Sequence, residues 1–141
     1  MADYVIVMGY DEHYAGGEAG SVSSIPYVGE GIENTLKEVP KEKVINAVPF
    51  YTRVWTVNEG KTSSKAYGIS DARQRVEENQ VELTWDKLQG QYYGETVSGS
   101  GQQKRWMEEE DSMKLKIVLI KELDLGGVDG RELGIEPAGR W

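Results

Sequence analysis

The sequence predicts an α/β fold: three parallel strands joined by two crossover helices, with a small α+β segment inserted between the second and third strands. Three observations carry this. The runs Tyr4-Val5-Ile6-Val7-Met8, Val44-Ile45-Asn46-Ala47-Val48 and Leu125-Gly126-Gly127-Val128 lack the alternation of a half-solvated strand, which suits strands covered on both faces. Two stretches between these runs repeat apolar residues at helical spacing. The middle of the chain, by contrast, breaks into short aromatic-rich pieces separated by turn residues.

In chain order, the first strand ends at Met8 and is followed by a Gly-, Ser- and acid-rich loop over residues 9–24. Pro26 then opens a helix with Ser24 placed to cap it. Val28, Ile32 and Leu36 make its apolar stripe, and Pro40 stops it. The second strand ends at Pro49, completing a strand–helix–strand unit whose crossover should be right-handed. Ser70 is expected to cap a short helix running to about 79. Residues 81–85, 91–94 and 104–107 read as strands of an antiparallel meander, with a hairpin tip at Ser98-Gly99-Ser100-Gly101. A second long helix is expected over about 111–123, with Met113, Ile117 and Ile120 on one face. The expected division is residues 1–59 and 108–141 for the parallel segment and 60–107 for the insertion. Three parallel strands alone would leave two open edges, which favours self-association as a homodimer through those edges. The start at Met1-Ala2-Asp3, directly before a strand, reads as a domain cut.

Composition narrows the partners. A chain of 141 residues with 38% hydrophobic and 28% charged residues suits one globular domain. A net charge of -8 disfavours nucleic acid and anionic membranes, and no apolar stretch approaches the ~18 residues of a membrane span. With no cysteine and one histidine, His13, neither a thiolate nor a multi-histidine metal site can form, and no cofactor is indicated. The acidic run Glu108-Glu109-Glu110-Asp111 reads as a solvated helix start. The compartment stays open.

Ligand sites of parallel sheets form at the C-terminal strand ends. There the sequence offers Met8, Tyr10, Asp11, Glu12, His13 and Tyr14, then Phe50, Tyr51, Arg53 and Trp55, then Asp129, Arg131 and Glu132. Aromatic rings mixed with carboxylates and a guanidinium suit a sugar, whose ring faces stack while its hydroxyls take hydrogen bonds. Competing readings stand beside this one. Asp11-Glu12 also fits a solvated loop pair, His13 an ordinary loop residue, and Tyr51 a core residue whose hydroxyl reaches a backbone group. Trp85, Tyr92, Tyr93 and Trp106 fit the insertion's own small core.

Met8-Gly9-Tyr10-Asp11 resembles the Met-x-Tyr-Asp motif on the sixth barrel strand of glycoside hydrolase family 18, the chitinase-like family. Val48-Pro49-Phe50-Tyr51-Thr52-Arg53 resembles its seventh strand, and the segment from Gly127-Val128 to Leu133-Gly134 its eighth. Tyr-Asp-Glu-His-Tyr at 10–14 is similar to the bacterial branch associated with spore and cell-wall peptidoglycan. The resemblance implies a partial (β/α)8 TIM barrel and a parent protein of the bacterial cell wall, spore or exterior acting on an N-acetylated glycan, chitin or peptidoglycan. It implies substrate-assisted cleavage, in which the acetamide oxygen attacks the anomeric carbon. Tyr10 would hold the acetamide and Asp11 the hydroxyls at the cleavage point. Met8, Tyr51 and Arg53 would line the groove, Trp55 would form its rim, and Arg131 stands where the family places a floor tryptophan. The family's acidic motif Asp-x-x-Asp-x-Asp-x-Glu is not in this sequence, so the resemblance implies a chain without its general acid and inactive alone. A non-catalytic glycan-binding module and an assembly piece that pairs with another chain are the alternatives.

Overall fold

The structure, a computed structural model, describes residues 3–99 and 101–131, the side chain of Arg131 excepted. Strand β1 (Val5–Met8) leads through the 9–24 loop to helix α1 (Ile25–Leu36), and β2 (Val44–Pro49) follows. Ser24 caps α1 by accepting from the Tyr27 amide at 3.3 Å, and Pro26 stands in its first turn. After β2 come β3 (Tyr51–Asn58), β4 (Lys61–Gly68), helix α2 (Ile69–Glu78), β5 (Thr84–Asp86), β6 (Gln91–Ser98) and β7 (Gly101–Met107). Helix α3 (Glu110–Glu122) and β8 (Gly127–Arg131) complete the described chain.

Two sheets result. The first is parallel, in the order β1-β2-β8, with Val5 opposite Val44 and Ile45 opposite Gly127. Val28 and Ile32 of α1 and Ile120 of α3 form a buried cluster, against which Leu36, Leu119, Leu123, Leu125 and Val128 pack. Each such fully buried side chain contributes roughly 1.5–3 kcal/mol relative to exposure. The expectation that all three strands are covered on both faces fails at β1. Its side chains alternate, leaving Ile6 51% and Met8 66% exposed, because the helices sit on the other side and nothing in the described chain lies beyond this strand.

The second sheet is antiparallel, in the order β4-β3-β7-β6-β5. It takes in β3, so residues 51–58 are hydrogen-bonded into the meander rather than ending the parallel segment. The β3–β4 hairpin, absent from the sequence reading, turns through Glu59 (φ 50) and Gly60 (φ 78), two adjacent residues at positive φ as a tight hairpin requires. The expected hairpin tip is present, with Ser98 opposite Gly101. Of the 81–85 stretch only residues 84 and 85 enter the sheet, in a strand that runs on to Asp86, because Val81 instead closes the end of α2, its amide donating to the Val76 carbonyl at 3.0 Å.

Three local expectations are corrected. Gly68, not Ser70, stands at the N-cap of α2, and Ser70 lies within its first turn. Glu109 caps α3 by accepting from the amides of Asp111 and Ser112, while the Ser112 hydroxyl accepts from the Glu109 amide at 2.9 Å. Glu110 and Asp111 do form an acidic first turn, which suits the helix dipole, but Glu108 is buried and not solvated. The aromatic residues of the insertion pair as Trp85–Tyr92 (4.9 Å between ring centres) and Tyr93–Trp106 (4.8 Å). Of these four only Trp85 is exposed and the other three are half-buried, while the fully buried hydrophobic residues of the 60–107 segment are Ala72, Val81 and Met107.

Candidate functional site

The ends of β1 and β2 are adjacent because the strands run parallel in register, so the residues after Met8 face those after Pro49. The chain turns sharply after β1. The Gly9 amide donates to the Ala47 carbonyl at 3.0 Å, and a Cβ on Gly9 would lie 2.9 Å from that same oxygen, so only glycine allows so close an approach. Two residues on, Asp11 adopts φ 58, a left-handed conformation that aspartate tolerates better than most residues. The turn brings its carboxylate to β3, where the Tyr51 hydroxyl donates to Asp11 Oδ1. Tyr51 is therefore a largely buried residue whose hydroxyl reaches a carboxylate and not a backbone group. Burial raises its pKa most, and the hydrogen bond to Asp11 and that carboxylate's charge raise it further, so the phenol stays protonated as a donor.

Tyr10 is half-buried, and its carbonyl accepts from the Tyr27 hydroxyl at 3.3 Å. Burial, then the charges of Glu12 and Asp11, raise the pKa of Tyr27. Tyr10 and Arg53 both lie within electrostatic reach of the Tyr51 phenol. Arg53 is half-buried on β3, with Nη1 donating to Ser64 Oγ at 3.0 Å and a buried Nε without a hydrogen-bond partner among the described residues. Tyr10, Asp11, Tyr51 and Arg53 are thus gathered in one place.

The other predicted residues fall differently. Met8 is exposed and lines a cleft of about 270 Å³ between β1 and α1, with Tyr27 and Gly31. Trp55 is 1% exposed and donates its indole N–H to the Gly20 carbonyl at 2.9 Å. It anchors the 9–24 loop from beneath and does not form a rim, because alternation along β3 turns it inward with Tyr51. The Arg131 backbone pairs with Pro49, but its side chain, like Glu132 and everything after it, lies outside the described residues. His13 is a loop residue whose Nδ1 is 2.7 Å from the Ser21 carbonyl. Glu12 is not a solvated partner of Asp11: its carboxylate accepts from both the amide and the hydroxyl of Ser24, at 3.0 and 3.1 Å.

Sequence reasoning missed the residues behind the site: Ser21, Ser23, Gln91, Glu108, Ser112 and Lys116, all buried. No spacing signal marks Gln91. Lys116 gave a faint one, a cation two turns after Glu108 among apolar neighbours. Among the described residues, no group of three or more His, Cys, Asp or Glu side chains is placed to hold a metal ion, and no helix is long and apolar enough to cross a membrane.

A phenol donor fixed against a carboxylate, beside a second phenol and a guanidinium, is equipped to recognise a neutral ligand rich in hydroxyl and amide groups. It stands at the ends of parallel strands in a mixed α/β fold, where ligand sites of such sheets form. Residues 1–129 match glycosyl hydrolases family 18, and the chain belongs to that family. It is 29% identical over 144 residues to the cortical fragment-lytic enzyme of Bacillus subtilis (strain 168), a match that takes in 100% of this chain and 33% of that protein. The crystal structure of the Bacillus megaterium QM B1551 spore cortex-lytic enzyme SleL superposes with a TM-score of 0.81 at 27% identity, over 96% of this chain and 31% of that one. The chitinase of Chromobacterium violaceum ATCC 12472 shares the fold, with a TM-score of 0.85 at 22% identity over 96% of this chain and 42% of its own. The chain thus spans about a third of the length of the cortex-lytic relatives.

Proposed function

We propose that this chain supplies one wall of a glycan site for N-acetylglucosamine-containing polymers, peptidoglycan or chitin, as three strands of a (β/α)8 barrel carrying an α+β insertion. The Tyr51–Asp11 hydrogen bond carries the reading. It joins the two motifs of the sequence, 40 residues apart, at the ends of neighbouring parallel strands. In this reading Tyr10 and Asp11 are the catalytic pair. The Tyr10 hydroxyl, which has no hydrogen-bond partner among the described residues, holds the acetamide carbonyl in line for attack, and Asp11 accepts from the sugar. Tyr51 keeps Asp11 oriented, the half-buried Arg53 lines the groove, and Met8 and Arg131 flank it. The acidic motif that would protonate the leaving oxygen is not in the sequence, so the chain binds without hydrolysing. A single wall should bind an N-acetylglucosamine trimer in the millimolar range, about -4 kcal/mol. Chemical-shift titration should move Tyr10, Asp11 and Tyr51, with no product released on incubation. Turnover abolished by Tyr10→Phe, or shifts confined to residues 61–107, would sink the reading.

A second reading concerns assembly and rests on β1. Tyr4, Ile6 and Met8 are 60%, 51% and 66% exposed at a strand with one edge unpaired among the described residues. Such an edge is a template for another strand, and a homodimer through it is the expected form at high concentration. Light scattering across a wide concentration range tests this, and a strictly monomeric, well-folded chain would exclude it.

A further inference from the structure

Behind the Tyr10–Asp11 turn, a file of buried polar side chains crosses the molecule. The Lys116 ammonium on α3 pairs with the Glu108 carboxylate, which also accepts from the Ser112 hydroxyl. The side chain of Gln91, at the start of β6, is buried near this carboxylate, and its Nε2 has no hydrogen-bond partner among the described residues. Ser21 Oγ donates to Gln91 Oε1, the Ser23 amide donates to Ser21 Oγ at 3.1 Å, and Ser23 Oγ donates to the carbonyl of Gly9. Ser21 is 2% exposed, Glu108 1%, and Ser23, Gln91, Ser112 and Lys116 0%. The file reaches both halves of the site. Gly9 immediately precedes Tyr10, and the Glu108 amide donates at 2.8 Å to the hydroxyl of Thr52, the neighbour of Tyr51.

Burying so many polar groups is a poor way to gain stability, since apolar side chains of similar volume pack as well without the desolvation cost. What directional bonds add is register. The 9–24 loop has few backbone ties of its own, among them Glu12 to Val22 at 2.9 Å and Gly17 to Tyr14 at 2.9 Å. A slip of the loop by even ~1 Å would part Asp11 from Tyr51.

We propose that Ser21 and Gln91 are positioning residues: they tie the 9–24 loop to the start of β6 so that Asp11 meets the Tyr51 phenol. The bearing on sugar binding rests on the function proposed above, whereas the bearing on loop geometry does not. The test uses the full chain carrying Ser21→Ala or Gln91→Met. Three quantities are read: amide hydrogen exchange, tyrosine ionisation by ultraviolet absorbance, and affinity for the N-acetylglucosamine trimer. Either variant should speed exchange of the Glu12 amide about tenfold while the β3 amides of Val54 and Thr56 keep their wild-type rates. One tyrosine should ionise at lower pH as Tyr51 loses Asp11, and trimer affinity should fall about tenfold. Unchanged Glu12 exchange and unchanged tyrosine ionisation would overturn the proposal. So would exchange that rises equally in the loop and in β3, since that marks a general loss of stability. A wild-type chain that binds no trimer while the variants still loosen Glu12 and release the tyrosine would overturn the sugar reading and leave the positioning role standing.

Discussion

Replacing Lys116 by methionine should be among the most damaging single changes outside the apolar core, with a cost that follows from burial. Lys116 and Glu108 are 0% and 1% exposed, and they pair with each other. Burial raises the pKa of Glu108 and lowers that of Lys116, and in each case the partner's charge pulls the other way. Lys116→Met leaves Glu108 without its countercharge. At pH 7 the carboxyl, ordinarily near 4.5, escapes by taking a proton, at about 3.4 kcal/mol. Glu108→Gln strands the ammonium instead. Neutralising a lysine ordinarily near 10.5 costs up to about 4.8 kcal/mol at the same pH. Both figures fall within the ~3–5 kcal/mol typical of a broken buried pair, a large share of the ~5–15 kcal/mol that stabilises a domain. The pH dependences have opposite signs. In Lys116→Met the raised carboxyl favours the folded state fully only below about pH 4.5, so stability recovers as pH falls from 7 toward 5. In Glu108→Gln the lowered lysine is unfavourable at neutral pH, so stability recovers as pH rises from 7 toward 10. Lys116→Met with Glu108→Gln should cost less than the two single changes added together. Urea denaturation at pH 5, 7 and 9 measures all of this. A single variant that loses under ~1 kcal/mol at pH 7, or two variants whose stabilities follow pH in the same direction, would refute the reasoning.

Two further predictions concern the site and its helix. Burial raises Tyr27, Tyr51 and Tyr93 above the ordinary phenol value of 10, with carboxylates adding to the effect, so spectrophotometric titration should find these three ionising late. Because the unfolded chain gives up these protons first, stability should fall as pH climbs past 10, and less steeply in Tyr51→Phe; a titration in which all tyrosines ionise together near 10 would contradict this. Ser24→Ala removes both the cap of α1 and the hydroxyl bonded to Glu12, and should cost about 1–2 kcal/mol by chemical denaturation; a loss below ~0.3 kcal/mol would show that the cap is not used.

Most of the parallel sheet was legible in the sequence because its signals are local. β-branched runs mark β1 and β2, and Ser24, Pro26 and Pro40 bracket the helix between them. β4 was not legible, because Lys61–Gly68 is a polar strand at a sheet edge with no hydrophobic alternation to betray it. The burial of Trp55 is not legible, because strand alternation sets its face relative to Tyr51 but not which side the 9–24 loop covers. Glu108 was hidden among three genuinely helix-starting acidic neighbours, and its partner Lys116 is a matter of tertiary packing. The exposure of Ile6 and Met8 was missed for the opposite reason: their composition is that of a strand flanked on both sides, which the described chain does not provide. For the candidate site, Tyr10, Asp11, Tyr51 and Arg53 are named by motifs in the sequence, whereas Ser21 and Gln91 acquire meaning only once strands far apart in sequence meet.

The central place of β2 also bears on the order in which the chain assembles. Its partners on β8 lie beyond the whole antiparallel sheet, so pairing Ile45 with Gly127 in an otherwise unfolded chain closes a long loop, at an entropic cost that grows with loop length. The insertion shortens that search. Its tight turns at 58–61 and 98–101 close locally, and β3 and β7 then lie side by side, carrying the end of β2 and the start of α3 toward each other. A chain that forms its hairpins first reaches the β2–β8 pairing with much of the intervening chain already compact. A substitution at Gly60 that strains the turn should therefore slow refolding more than it hastens unfolding, and the reverse would place hairpin formation after the parallel pairing.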